Sequence, residues 1–283
     1  MSPIKITALT LLALTAFAAN SLLNRAALAT GEIDPGAFTV IRIVSGAVML
    51  AALVALSGGA SRLAPSGSLL SALSLLAYAV FFSYAYLSLE AGLGALLLFG
   101  AVQITMISVG VARGERPKPL RWAGIAAACA GFVALVAPGD AAPDPFGAVL
   151  MTVAGAAWGV YSLRGAGGKP PLEATAGNFL IATPLVLPLL ALIDFGAPMT
   201  MAGVLLAIAS GALASGLGYA VWYAALKHLE ASVAAVLQLL APLIAIVLSI
   251  LLLGEEATLR MGLAALLILG GVAMAVKGGS RRA

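Results

Sequence analysis

Charge is what this sequence has least of. Of its 283 residues only 9% are Asp, Glu, Lys or Arg, while 62% are hydrophobic. A soluble domain needs roughly 25% charged residues to keep its exterior wet, so a water-soluble fold is excluded and the bilayer becomes the natural solvent. Cysteine is reduced to Cys129, inside an apolar run, which rules out an internal disulfide. Histidine is reduced to His228, which cannot build a metal site alone, and no cofactor is implied. No paired carboxylates, His cluster or Gly-x-Ser-Gly nucleophile setting lies within the apolar runs, which argues against an intramembrane enzyme. The formal net charge of +4 could suggest nucleic acid, but the cations sit in short loops between apolar segments and read as topology signals.

What is present is a succession of apolar runs of about 20 residues, the length needed to cross a hydrocarbon core of about 30 Å. Breaks at Gly, Pro and charge predict ten spans: Ile6–Ala26, Ala37–Leu56, Ser68–Leu89, Gly92–Ala112, Arg121–Val136, Pro145–Leu163, Ala174–Ile193, Met199–Leu226, Ala231–Leu253 and Leu259–Val276. Lys5 and the apolar run that follows resemble a signal peptide, but the segment also matches the start of a second repeat and is assigned to the first helix. Lys5, Arg62, Arg113, Arg116, Lys118, Arg121, Arg164, Lys169, Lys227, Lys277, Arg281 and Arg282 fall on one side, against Arg25 and Arg260 on the other. That bias predicts both termini in the cytoplasm of a bacterial inner membrane.

The two halves align at an offset of about 140. Glu90 meets Glu230, Gly114 meets Gly254 and Glu115 meets Glu255, and Glu is rare in so apolar a chain. The expected division is residues 1–139 and 140–283, each with five helices. An odd helix number turns the second half upside down relative to the first. Inverted repeats around a central site are a recurrent transporter plan. The predicted fold is therefore an all-α integral membrane protein, with ten transmembrane helices in two inverted five-helix repeats around a central cavity. Its expected partners are a small-molecule substrate and the lipid bilayer, with no nucleic acid, as a monomer or homodimer.

Polar groups at membrane depth are costly and mark candidate sites. Gln103 and Gln238 lie within helices 4 and 9, and Asn20 shares a helix face with Asn24. Asn178 in helix 7 is the repeat counterpart of Arg42 in helix 2. Arg42 reads as a receptor for a substrate carboxylate, as an outer gate paired with Glu32, Asp34 or Glu90, or as an anchor reaching the headgroups. Tyr78, Phe82, Trp158, Tyr161 and Tyr219 could wall a cavity or simply pack. Pro242 removes a backbone bond and marks a hinge or a static bend. Glu90, Glu230, Glu255 and Glu256 all fall at helix ends, leaving no carboxylate at mid-depth. Gradient-driven movement is thus favoured over a buried proton relay.

Trp158-Gly159, Pro242, Leu253-Gly254-Glu255 and the glycines 262, 270 and 271 of helix 10 make the chain similar to the drug/metabolite transporter superfamily, in its ten-helix EamA type. Phe17-Ala18 and Val102 depart from that pattern in the first half. The resemblance implies a basket of helices 1–4 and 6–9 around a cavity, with helices 5 and 10 peripheral. It also implies export of small neutral or amphipathic metabolites, and the bacterial exporters of aromatic and neutral amino acids are the nearest analogue. A lipid or polyprenyl-carrier flippase and a drug efflux protein share the fold and remain alternatives.

Overall fold

A computed structural model describes residues 1–58, 66–114, 116–139, 142–165, 170–194, 196–229, 231–278 and 280–281. Arg62, Glu115, Lys169, Glu230 and Arg282, used above for orientation and for the repeat, lie outside the described residues. Among the described residues ten helical spans follow one another: α1 (Pro3–Leu28), α2 (Pro35–Leu56), α3 (Leu69–Ala85), α4 (Ala91–Ala112), α5 (Pro119–Val136), α6 (Pro145–Gly165), α7 (Pro171–Val186), α8 (Met201–Leu226), α9 (231–253, as Ala231–Gln238 and Leu240–Leu253) and α10 (Leu259–Gly278). Eight spans are long and apolar enough to cross a membrane, and Leu69–Ala85 and Leu240–Leu253 are shorter apolar helices.

Local chemistry explains the starts and breaks. Five of these helices open on proline, at 3, 35, 119, 145 and 171, where the missing N–H would be unpaired anyway. Asp34 caps α2 by accepting from the Gly36 and Ala37 amides at 2.7 and 3.1 Å, and Asp144 does the same for α6 through Gly147. In α7, Pro184 comes just before a tightening to 3-10 geometry over Leu187–Leu192, and Pro188 lies within that tighter segment. In α9 the helix breaks at Leu239, one turn before Pro242. Pro242 lacks the N–H that would bond the Gln238 carbonyl, and its ring crowds that same carbonyl. In α8, residues Ala209–Leu217 form a π-helical segment.

The interior is polar where the exterior is apolar. Asn20, Asn24, Arg42 and Ser210 are buried, whereas Val48, Leu56, Leu251 and Leu266 are exposed. In water that exterior would be a large aggregation-prone patch, so it identifies a lipid-facing surface. The most extensive helix pairings persist when each helix n is exchanged for n+5. Contacts α5–α10, α2–α7 and α4–α9 map onto themselves; α3–α6 maps onto α1–α8, α4–α6 onto α1–α9, and α2–α8 onto α3–α7. At the α5–α10 seam a Cβ on Gly271 would stand 2.5 Å from the Gly124 carbonyl oxygen, so only glycine permits that approach. The start of α1 and the end of α10 lie at one end of the bundle, where Arg116–Pro117 pairs with Ser280–Arg281, and the last turn of α1 meets Glu255 at the other. We call the first of these the terminal end and its opposite the far end.

Candidate functional site

Seven helices enclose a cavity of about 310 Å³, near the low end of the roughly 300–1,000 Å³ typical of small-molecule sites. Its walls come from α1, α3, α4, α6, α7, α8 and α9, so α5 and α10 are peripheral, as the resemblance implied. Helix α2 contributes no lining residue, which departs from the expected eight-helix basket. The reason is packing: α2 sits behind the Tyr78 and Phe82 rings of α3 and against the π segment of α8. The lining reaches exposed Gly165 and Pro171, so the cavity opens at the terminal end.

Trp158 organises the wall. Its ring stacks on Tyr161 (5.0 Å between centroids, 27°) and on Tyr219 (5.5 Å, 19°), and lies 4.8 Å from Tyr78. Tyr78 in turn meets Phe82 at 5.1 Å. Phe17 stands 5.8 Å from Tyr219 in the place where the family pattern has tryptophan. These rings offer flat apolar faces, with Tyr161 and Tyr223 holding their hydroxyls against Thr175 at 3.4 and 2.9 Å. Asn178 lines the same space; its Nδ2 donates to the Tyr161 hydroxyl at 3.4 Å, and its Oδ1 accepts from the Ser68 amide at 2.9 Å. Asn20 and Gln238 complete the polar lining. The structure thus gathers Asn20, Tyr78, Phe82, Trp158, Tyr161, Asn178, Tyr219 and Gln238 around one space. Gln103 is buried outside the lining. Phe17, Phe99, Thr175 and Trp222 join the lining without having been singled out, and a helical-face plot of α1, α7 and α8 around Asn20, Asn178 and Tyr219 would have signalled three of them.

Beyond Asn20 the cavity ends in a polar plug. Asn20 Nδ2 donates to Ser215 Oγ (3.3 Å), Ser210 Oγ donates to Asn20 Oδ1 (2.8 Å), and Asn24 Nδ2 donates to Ser210 Oγ (3.3 Å) and the Asn20 carbonyl (2.8 Å). Ser83 Oγ adds a bond to Asn24 Oδ1 at 3.1 Å, so α1, α3 and α8 are tied together. The π segment of α8 supplies both serines.

Above the plug, Glu255 closes the far end. Its carboxylate accepts from the Ala91 and Gly92 amides (2.8 and 3.3 Å) at the start of α4 and pairs with Arg25 at 3.5 Å. An anion there faces unpaired N–H groups and the positive end of the helix dipole. Gly254, at φ 68, is the left-handed residue that turns the chain so that Glu255 can reach. Arg25 Nη1 also donates to the Tyr86 and Leu87 carbonyls, and Thr200 bonds Glu32. Glu90, at the same place, is held above the usual carboxylate range by partial burial and by the neighbouring Glu255 and Glu256, with Arg25 opposing. The Glu255–Arg25 pairing was not anticipated. In the sequence Arg25 is only an exception to the charge bias, and no spacing rule links positions 25 and 255.

Arg42 is not paired with Glu32, Asp34 or Glu90, so the ion-paired gate considered for it is not the arrangement found: Glu32 bonds Thr200 and Asp34 caps its own helix. Nor does it reach a headgroup layer, being only 2% exposed. Its Nη2 donates to the Tyr78 hydroxyl at 2.9 Å, and its guanidinium lies over the Tyr78 and Phe82 rings.

Residues 145–277, essentially α6 to α10, match the EamA-like transporter family. An uncharacterized protein of Pseudomonas aeruginosa is 48% identical over 94% of this chain and 92% of its own length. An uncharacterized transporter of Archaeoglobus fulgidus is 27% identical over 85% of this chain and 87% of its own. A solved crystal structure superposes with a TM-score of 0.67, covering 95% of this chain and 96% of that one at 22% identity, a likeness of fold.

Proposed function

The chain belongs to the EamA-like transporter family, and on that premise we propose that it is a secondary transporter exporting small amphipathic metabolites, amino acids with aromatic side chains among them, by alternating access. The family places it in the membrane as a carrier of small molecules. The observation that carries the finer reading is one cavity, walled by stacked rings, open at the terminal end and closed by the plug and the Glu255 contacts at the other. A site reachable from one side only is half of an alternating-access cycle.

The loop cations support a terminal end that faces the cytoplasm of a bacterial inner membrane, with the cavity loading from inside. The exchange symmetry of the helix pairing supports two inverted repeats, residues 1–139 and 140–283, with the second state reached when the far end opens and the terminal end closes. The helix-end position of the carboxylates favours movement down a substrate gradient. Counterflow in proteoliposomes, with labelled phenylalanine, threonine and methionine, tests the reading. Saturable exchange led by phenylalanine is expected. If no member of the panel exchanges, the amino-acid assignment fails, and lipids and cationic drugs become the next substrates to try.

A further inference from the structure

We infer that Arg42 is the receptor for an anionic group on the transported molecule, and that the preferred cargo is a flat aromatic molecule whose single charge is negative. The inference rests on reading the cavity as the substrate path. It ranks the cargoes within that reading, placing aromatic anions ahead of zwitterionic amino acids.

Arg42 heads the fully buried side chains by size among the described residues, and its Nη1 has no hydrogen-bond partner. No described carboxylate forms a salt bridge with it. A guanidinium removed from water is stabilised when an anion and hydrogen bonds replace its hydration. Arg42 has only part of this: one phenol oxygen at 2.9 Å and two ring faces, 5.1 and 4.9 Å from its central carbon. Those rings, Tyr78 and Phe82, are themselves cavity wall, so the charge lies one aromatic layer from the open space. Among the described lining residues there is no Asp or Glu. The site therefore presents an uncompensated positive charge and offers a second, positive charge no counter-ion. A carboxylate that displaces the Tyr78 hydroxyl would meet a planar fork of N–H donors. The attached ring would lie against the cavity wall formed by Trp158, Tyr161 and Tyr219.

Three ligands of one skeleton separate the possibilities: 3-phenylpropionate (anionic), 3-phenylpropanamide (neutral) and phenylalanine (zwitterionic). Each is titrated into the purified full-length protein while the fluorescence of the cavity residues Trp158 and Trp222 is followed. The carboxylate is expected to bind at least about tenfold tighter than its amide, and tighter than phenylalanine. Arg42→Gln should bring the carboxylate down to the affinity of the amide and leave the amide unchanged. Equal binding of amide and carboxylate by the wild type, or no binding of the carboxylate, overturns the inference. So does a tighter hold on phenylalanine. Should Arg42→Gln fail to fold, the wild-type series decides alone. Because equilibrium binding needs no transport, a preference for the carboxylate without counterflow would remove only the transport reading.

Discussion

At the far end the helices meet through amides, hydroxyls and a carboxylate; at the terminal end they meet through aromatic rings set around open space. The two regions share α1, α3 and α8, so the contrast lies in side chains rather than in the helices that carry them. Hydrogen bonds between buried partners are directional and all-or-none, because a half-broken network strands desolvated groups. Ring contacts are broad and tolerate sliding. The far end is thus built to be shut or open, and the terminal end to adapt to what it holds.

Trp158→Ala should separate the regions most sharply. Removing the ring that stacks on Tyr161 and Tyr219 is expected to weaken binding of a carboxylate such as 3-phenylpropionate by about 10- to 100-fold, measured by equilibrium titration. Far-end accessibility should not move. If both shift together, the two regions are one unit and the contrast fails. Glu255→Gln should do the reverse. Losing the anion at the α4 N-terminus and the Arg25 pair is worth about 1–2 kcal/mol. Far-side labelling of a Ser21→Cys probe, at a buried α1 position next to the plug residue Asn20, in a Cys129→Ser background, should therefore quicken about 5- to 30-fold. An unchanged labelling rate would mean that Glu255 decorates a closure made elsewhere.

The smallest effect concerns pH. Glu90 has a raised pKa in this closed arrangement, caused by partial burial and the Glu255 and Glu256 carboxylates. Its protonated form is therefore favoured when the far end is shut. That stabilisation is full at acidic pH and is lost as pH rises through the raised value. The same labelling should slow as pH falls through the raised value, and Glu90→Gln should flatten the profile at its slow, acidic level. A wild-type profile identical to that of Glu90→Gln would place Glu90 outside the closure.

Much of this was legible in the sequence because the bilayer enforces it. Apolar runs and helix-starting prolines mark spans wherever an unpaired backbone group cannot be tolerated. The aromatic wall was visible because rings are scarce in this chain and Trp158, Tyr161 and Tyr219 share the terminal halves of their helices. What stayed hidden depends on the rotation of one helix against another. Arg25 and Glu255 meet only through the turn at Gly254. Ser210 and Ser215 both face Asn20 only because the π segment of α8 brings them there. Pro242 marks a hinge or a static bend, and the sequence does not show that the break falls at Leu239, one turn earlier, beside the Gln238 carbonyl that proline leaves unbonded.

The 17 residues of α3 have one further consequence. At 1.5 Å per residue the helix is about 26 Å long, some 4 Å short of a hydrocarbon core of about 30 Å. Leu69, Leu70 and Leu73 are exposed on it, so lipid meets this helix directly. The bilayer has to pinch where it touches α3, or the helix has to be pulled upright, and either adjustment costs more in thicker membranes. The same helix carries Tyr78 and Phe82. Acyl-chain length is thereby a mechanical input to the aromatic wall, acting on it through the helix that holds it.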